Sequence, residues 1–133
     1  MPGLGAKTVL HLVVLLHRWH TLTAGQGRDK GLVAYVGLDP QPHESGTSVH
    51  GRAAISRQGE RGLRRRLFMA ALGGTRRDNA LRRFYRRLVA RGKAKKLALV
   101  AAARKLLTWA WAVFRRQHPC ATPLAEQPTG LAA

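Results

Sequence analysis

The chain has 133 residues, and 24 Lys and Arg against 6 Asp and Glu leave a formal net charge of +18. Its 45 % hydrophobic content suits one globular domain and excludes a chain disordered throughout, while the lone cysteine, Cys120, excludes an internal disulfide and fits a reducing compartment. A solvated surface this basic points to a polyanion, nucleic acid ahead of a membrane, and the scattered acids make a self-contained carboxylate-held metal centre hard to build.

The chain opens with Pro2-Gly3-Leu4-Gly5, a tight turn that leads into a helix through about Trp19. The apolar run Val9 to Leu16 is broken by His11 and ended by His17-Arg18-Trp19. It is shorter than the ~20 apolar residues a bilayer requires. No small-residue cleavage site follows it, so a cytoplasmic, nucleoid-associated protein is expected rather than an exported one. Residues 21–30 read as a loop. Leu32 to Val36 is too short for periodicity to separate helix from strand. Gly37 stops that segment, and Asp39-Pro40-Gln41-Pro42 cannot continue a helix, because proline lacks an amide donor and restricts its predecessor. Residues 40–59 therefore read as irregular.

Three helices follow. The first covers about Glu60 to Leu72, with Leu63, Leu67 and Ala70 at helical spacing and Gly73-Gly74 as its end. The second starts at Asp78 as N-cap and runs to Arg91, burying Leu81, Phe84, Tyr85 and Leu88 while Arg82, Arg83, Arg86 and Arg87 point elsewhere; Gly92 closes it. The third spans about Lys93 to Gln117. At ~100° per residue, Leu99, Ala103, Leu106, Leu107, Ala110, Val113 and Phe114 share one arc, with Lys93, Arg104 and Arg115 opposite. The expected fold class is all-α: a small basic helical domain with a helix-hairpin-helix-like start and an irregular serine-bearing loop. Its parts are an N-terminal helical part (1–36), the serine loop (37–59), a three-helix part (60–117) and a disordered tail (118–133).

Several residues carry candidate chemistry. Arg61, Arg64, Arg65 and Arg66 fall within six positions, joined by Arg52, Arg57, Arg76 and Arg77. With so few acids to balance them, phosphate contact outweighs a merely solvated face. Lys93, Lys95, Lys96 and Arg104 form a second basic group. Such contacts position a backbone without reading its sequence. Gly3 and Gly5 are either a phosphate-holding hairpin or a simple helix-start turn. Ser45, in Glu44-Ser45-Gly46, is either a turn residue or a hydroxyl nucleophile beside the cations of Arg52 and Arg57. Ser56 reads as a cap. The histidines form no metal set, and Trp109 and Trp111 read as packing residues.

The order Leu32-Val33-Ala34-Tyr35-Val36-Gly37-Leu38-Asp39-Pro40, Glu44-Ser45-Gly46, Ile55-Ser56-Arg57-Gln58-Gly59, Leu63-Arg64 and Ala70-Ala71-Leu72 resembles the C-terminal domain of the IS110/IS116 family of insertion-sequence transposases. Phe84-Tyr85, Arg91-Gly92-Lys93 and Ala98 to Leu107 resemble its closing helices, so the likeness covers about residues 2–117. The resemblance implies a DNA recombinase in which this domain supplies a serine nucleophile, matched here by Ser45. It also implies a partner RuvC-like domain with an acidic tetrad holding Mg2+, and guidance by a structured RNA. Asp29, Asp39, Glu44, Glu60, Asp78 and Glu126 do not make such a tetrad, and Glu60 stands where relatives more often carry Asn or Asp. The chain by itself is therefore expected to be catalytically silent, with no metal or cofactor of its own. Its expected partners are the DNA of element ends and targets, a guide RNA, and further copies or a full-length transposase, but no membrane. A non-catalytic DNA- or RNA-binding module is the alternative function, and a membrane-active cationic protein using the last helix ranks below it.

Overall fold

The computed structural model describes residues 3–41, 44–45, 49–50, 54–55 and 60–117, with the backbone alone for the residues between 40 and 55. Five helices carry the architecture: α1 (Ala6–Leu22), α2 (Asp29–Val36), α3 (Arg61–Gly74), α4 (Ala80–Ala90) and α5 (Lys95–Gln117). The expected all-α class is correct for this body. The segment left open between helix and strand, Leu32 to Val36, lies in α2.

The turn chemistry explains where the helices stop. Gly37 is left-handed at φ 83°, and Leu38 N–H reaches back to Val33 O at 3.0 Å while Gly37 N–H reaches Ala34 O at 3.0 Å. Gly92, at φ 90°, ends α4 the same way, with Lys93 N–H on Leu88 O and Gly92 N–H on Val89 O. Both are glycine-terminated stops that satisfy carbonyls the helix leaves unpaired.

Two expected boundaries need correction. The α3 helix ends on Gly73-Gly74 rather than before them: both are its last helical residues, and Gly74 is buried. Gly74 lies against the opening turn. Gly3, at φ 79°, lies so close to α3 that a Cβ there would collide with the Ala70 carbonyl oxygen and come within 2.7 Å of Gly74 N. The small residues Ala70 and Gly74, one turn apart, admit the N-terminal segment onto the helix. The N-cap of α4 is Asn79 rather than Asp78: Asn79 Oδ1 accepts from Arg82 N–H at 2.9 Å. Asp78 is 87 % exposed and lies 3.7 Å from the Arg83 guanidinium instead.

The core is organised around α5, which touches each of the other four helices. Leu12 and Leu16 of α1, Leu32 and Val36 of α2, Leu63, Leu67 and Ala71 of α3, and Leu81 of α4 pack with Leu106, Leu107, Trp111 and Phe114. Encirclement widens the buried face of α5 beyond one amphipathic arc, so Ala98, Ala101 and Ala102 are buried as well. Val113, expected on the buried arc, is 45 % exposed, and Leu99 is half-buried. Lys93 precedes α5 rather than sitting on its outer face. Trp111 is wholly buried and donates from Nε1 to Gly27 O at 3.3 Å. Trp109 is half-buried against the core, so both tryptophans pack as expected. By length and composition α5 alone among the described helices is apolar enough to cross a membrane, but 56 % of its apolar window is buried under its neighbours.

Residues 40–55 depart from the irregular loop expected. Strands β1 (Pro40–Gln41) and β4 (Ala54–Ile55) pair antiparallel, and so do β2 (Glu44–Ser45) and β3 (Val49–His50). Pro40 faces Ile55 and Gln41 faces Ala54, whereas Glu44 faces His50 and Ser45 faces Val49. The tail from residue 118 onward lies outside the described residues.

Candidate nucleic-acid interface

α3 sorts its side chains by the helical period. Leu63, Leu67, Ala70 and Ala71 face the core, while Arg61, Arg64, Arg65 and Phe68, at i, i+3, i+4 and i+7, form the adjoining stripe. That stripe forms one wall of a cleft of about 600 Å³ whose other wall is Lys96, Val100 and Ala103 of α5, with Leu38 at its end. Arg61, Arg65 and Lys96 are exposed. Arg64 is half-buried and donates from Nη1 to Val36 O at 3.3 Å. The structure thus gathers Arg61, Arg64, Arg65 and Lys96, drawn from both expected basic groups, into one concave surface.

A second cleft, of about 590 Å³, opens between α2, α4 and α5. Arg104 belongs here rather than with Lys96. Lys105 lines it too, its ammonium 5.4 Å from the centroid of the Phe84 ring and 5.9 Å from that of Trp109. Asp39 borders this cleft and Leu38 the first, so the two flank the residues that lead into the β1 strand.

Of the remaining candidates, Arg66 is half-buried and lines neither cleft, and Lys93 and Lys95 are exposed where α4 gives way to α5. Gly5 is the N-cap of α1, with open space where a Cβ would be. Gly3 has the packing role described above. The backbone of Ser45 lies in β2, opposite Val49 and next to the three residues that join β2 to β3. Arg52 and Arg57, expected beside it, and Ser56 lie outside the described residues.

Sequence reasoning did not single out Phe68, Lys30 or Lys105. The spacing of Phe68 from Arg61 and Arg64 was a visible signal, but membership of a cleft between helices distant in sequence was not. The α4 arginines Arg83, Arg86 and Arg87 are exposed, with Arg87 6.0 Å from the Phe84 ring centroid, and extend the basic surface. Among the described residues no group of three His, Cys, Asp or Glu side chains is placed to hold a metal ion. Of Asp29, Asp39, Glu60 and Asp78 only the first two share a cleft, and two carboxylates fall short of the tetrad implied for a RuvC-like domain.

A sequence model of the Transposase IS116/IS110/IS902 family matches residues 1–86, from α1 through most of α4. This chain belongs to that family. The pilin gene-inverting protein of Moraxella lacunata is 38 % identical over 120 residues, which is 90 % of this chain and 36 % of that protein. The uncharacterized 43.6 kDa protein of insertion element IS110 from Streptomyces coelicolor is 37 % identical over 119 residues, 86 % of this chain and 27 % of that protein. The uncharacterized 42 kDa protein of insertion element IS900 from Mycobacterium paratuberculosis is 32 % identical over 128 residues. The chain spans about a third of the length of these relatives.

Proposed function

We propose that this chain is the DNA-binding, serine-bearing part of a transposase that moves or inverts DNA segments, corresponding to the C-terminal domain of its family. The observation that carries the reading is the convergence of Arg61, Arg65 and Lys96 on one cleft that Leu38, just ahead of β1 in the chain, also lines. The cations neutralise backbone phosphates and hold a strand across the α3–α5 cleft. A phosphodiester lying there meets positive charge that offsets the negative charge built up when a hydroxyl attacks phosphorus. The Ser45 hydroxyl is the candidate nucleophile: its oxygen bonds to phosphorus and the sugar oxygen leaves, storing the strand as a phosphoserine ester. A hydroxyl needs a base or a metal to activate it, and the described residues supply no metal set, so cleavage belongs to an assembly with a RuvC-like domain. A guide RNA and further copies of the chain complete that assembly in this proposal.

The cheapest test is binding of the full chain to duplex DNA over a salt series. The expected result is a log affinity that falls linearly with log salt, by about 0.9 for each phosphate neutralised. A flat response, or no binding at modest ionic strength, overturns the reading.

A further inference from the structure

The second cleft differs in kind from the first. We propose that it takes one unpaired nucleotide of a DNA or RNA strand, with the base on its apolar lining and the phosphate against Arg104 and Lys105. This deepens the nucleic-acid reading above and rests on it.

Three features point to a base rather than to more backbone. Part of the lining is apolar: Val33, Ala34 and Ala101 with the Phe84 ring. Phosphates and sugars find nothing to bind on such a surface, whereas every base has a flat face that packs on apolar and aromatic groups. The cations are held in place. Lys105 lies over Phe84 and Trp109, so its charge stays at the cleft, beside Arg104 on the same helix. Finally, the chain has only six acids, yet one of them, the exposed Asp29, lines this cleft. On a surface that meets phosphates a carboxylate repels its ligand unless the ligand also offers donors. Exocyclic amines of adenine, guanine and cytosine are such donors.

The polarity of the cleft follows from how its walls run. Gly27, just before α2, bonds to Trp111, while Leu38, just after α2, sits beside Lys96 and Val100. α2 therefore runs antiparallel to α5. Asp29, at the start of α2, lies towards Thr108, and Arg104 is one turn away, about 6 Å along the axis at ~1.5 Å per residue. The cleft thus sets an acceptor, Asp29, on its α2 wall and two cations, Arg104 and Lys105, on its α5 wall.

The test compares duplexes that differ only by one bulged residue, in DNA and in RNA, by fluorescence anisotropy with the full chain. A bulged adenine, guanine or cytosine is expected to tighten binding about tenfold over the paired duplex, the scale of one stacked base. A bulged thymine or uracil gains less, and an abasic bulge gains nothing. Whichever sugar shows the gain identifies the strand. Ala34→Phe fills the cleft without removing a charge and is expected to erase the gain while paired-duplex affinity stays within about twofold. Asp29→Ala, at an exposed position, is expected to erase the preference for amino-bearing bases. Equal affinity for paired and bulged duplexes, in a protein that binds both with steep salt dependence, overturns the nucleotide site and leaves the interface reading intact. Failure to bind any of them overturns both.

Discussion

Arg64 donates from Nη1 to the carbonyl oxygen of Val36 at 3.3 Å, and so ties α3 to the last residue of α2. That carbonyl is one of those a helix leaves without an internal partner, and it sits at the negative end of the helix dipole. One cation of the α3–α5 cleft therefore braces the fold, while its neighbours Arg61 and Arg65 stand exposed. The cluster that reads in sequence as four equivalent arginines is not equivalent in space.

This division predicts separable effects. Arg64→Met is expected to lower stability by about 1 kcal/mol, the net worth of a half-buried hydrogen bond, whereas Arg61→Met and Arg65→Met stay within about 0.5 kcal/mol. On duplex DNA the last two are each expected to reduce the slope of log affinity against log salt by about 0.9. Urea unfolding and anisotropy titrations measure the two quantities. An unchanged slope for both exposed-arginine variants removes the α3 stripe from the interface.

Gly3 distinguishes packing from phosphate binding at the chain's opening turn. Its φ of 79° and its approach to the Ala70 carbonyl leave no room for a side chain, whereas Gly5 opens onto free space. Gly3→Ala is expected to cost at least about 2 kcal/mol, from the left-handed backbone and the collision together. Gly5→Ala removes only a glycine N-cap, for no more than about 1 kcal/mol. A Gly3→Ala protein that melts normally but loses DNA affinity would restore the phosphate reading of that turn.

Asn79 serves two helices at once. Its Nδ2 donates to Gly74 O at 2.8 Å, at the end of α3, and its Oδ1 accepts from Arg82 N–H at 2.9 Å, at the start of α4. Asn79→Ala loses both bonds and is expected to cost about 1–2 kcal/mol. Asn79→Asp keeps the acceptor for α4 but sets a carboxylate against the Gly74 carbonyl, so thermal melting should place it between wild type and Asn79→Ala. Asn79→Asp matching wild type would show that the bond to Gly74 contributes nothing.

Much of the helical body was legible because its signals are local. The 3.6-residue spacing of Leu63, Leu67 and Ala70 and the glycine stops at Gly37 and Gly92 act within one turn, and each appears where expected. What was not legible depends on contacts between segments far apart in the chain. Gly73-Gly74 reads as a stop just past the helix, whereas α3 runs through both and Gly74 is buried beside Gly3. Val113 fits the apolar arc of an isolated helix, but among the described residues it stays 45 % exposed. The paired ladders between 40 and 55 escape detection because each strand has two residues, too few for an alternating pattern. At the candidate site, composition announced the charge but not its division, since Lys96 and Arg104 share a helix and face different clefts.

The prediction with most at stake concerns Ser45. Its backbone pairs with Val49 across a two-residue ladder, and those hydrogen bonds use main-chain groups that a side-chain change leaves in place. Ser45→Ala is therefore expected to preserve folding and the salt-dependent DNA affinity supplied by the arginines. If the hydroxyl is the nucleophile, the same substitution abolishes the covalent protein–DNA adduct formed when the RuvC-like domain of the proposed assembly is supplied with its DNA, detected as a denaturation-resistant shift in electrophoretic mobility. Ser45→Cys keeps a nucleophilic atom at the same register position and is expected to retain at least a trace of adduct, which Ser45→Ala cannot. Since the proposal assigns binding and adduct formation to different residues, a variant that binds but does not react identifies a chemical role, and one that does neither indicates that the hairpin was disturbed. An adduct that persists in Ser45→Ala at wild-type yield assigns the chemistry to another hydroxyl and leaves Ser45 as a turn residue.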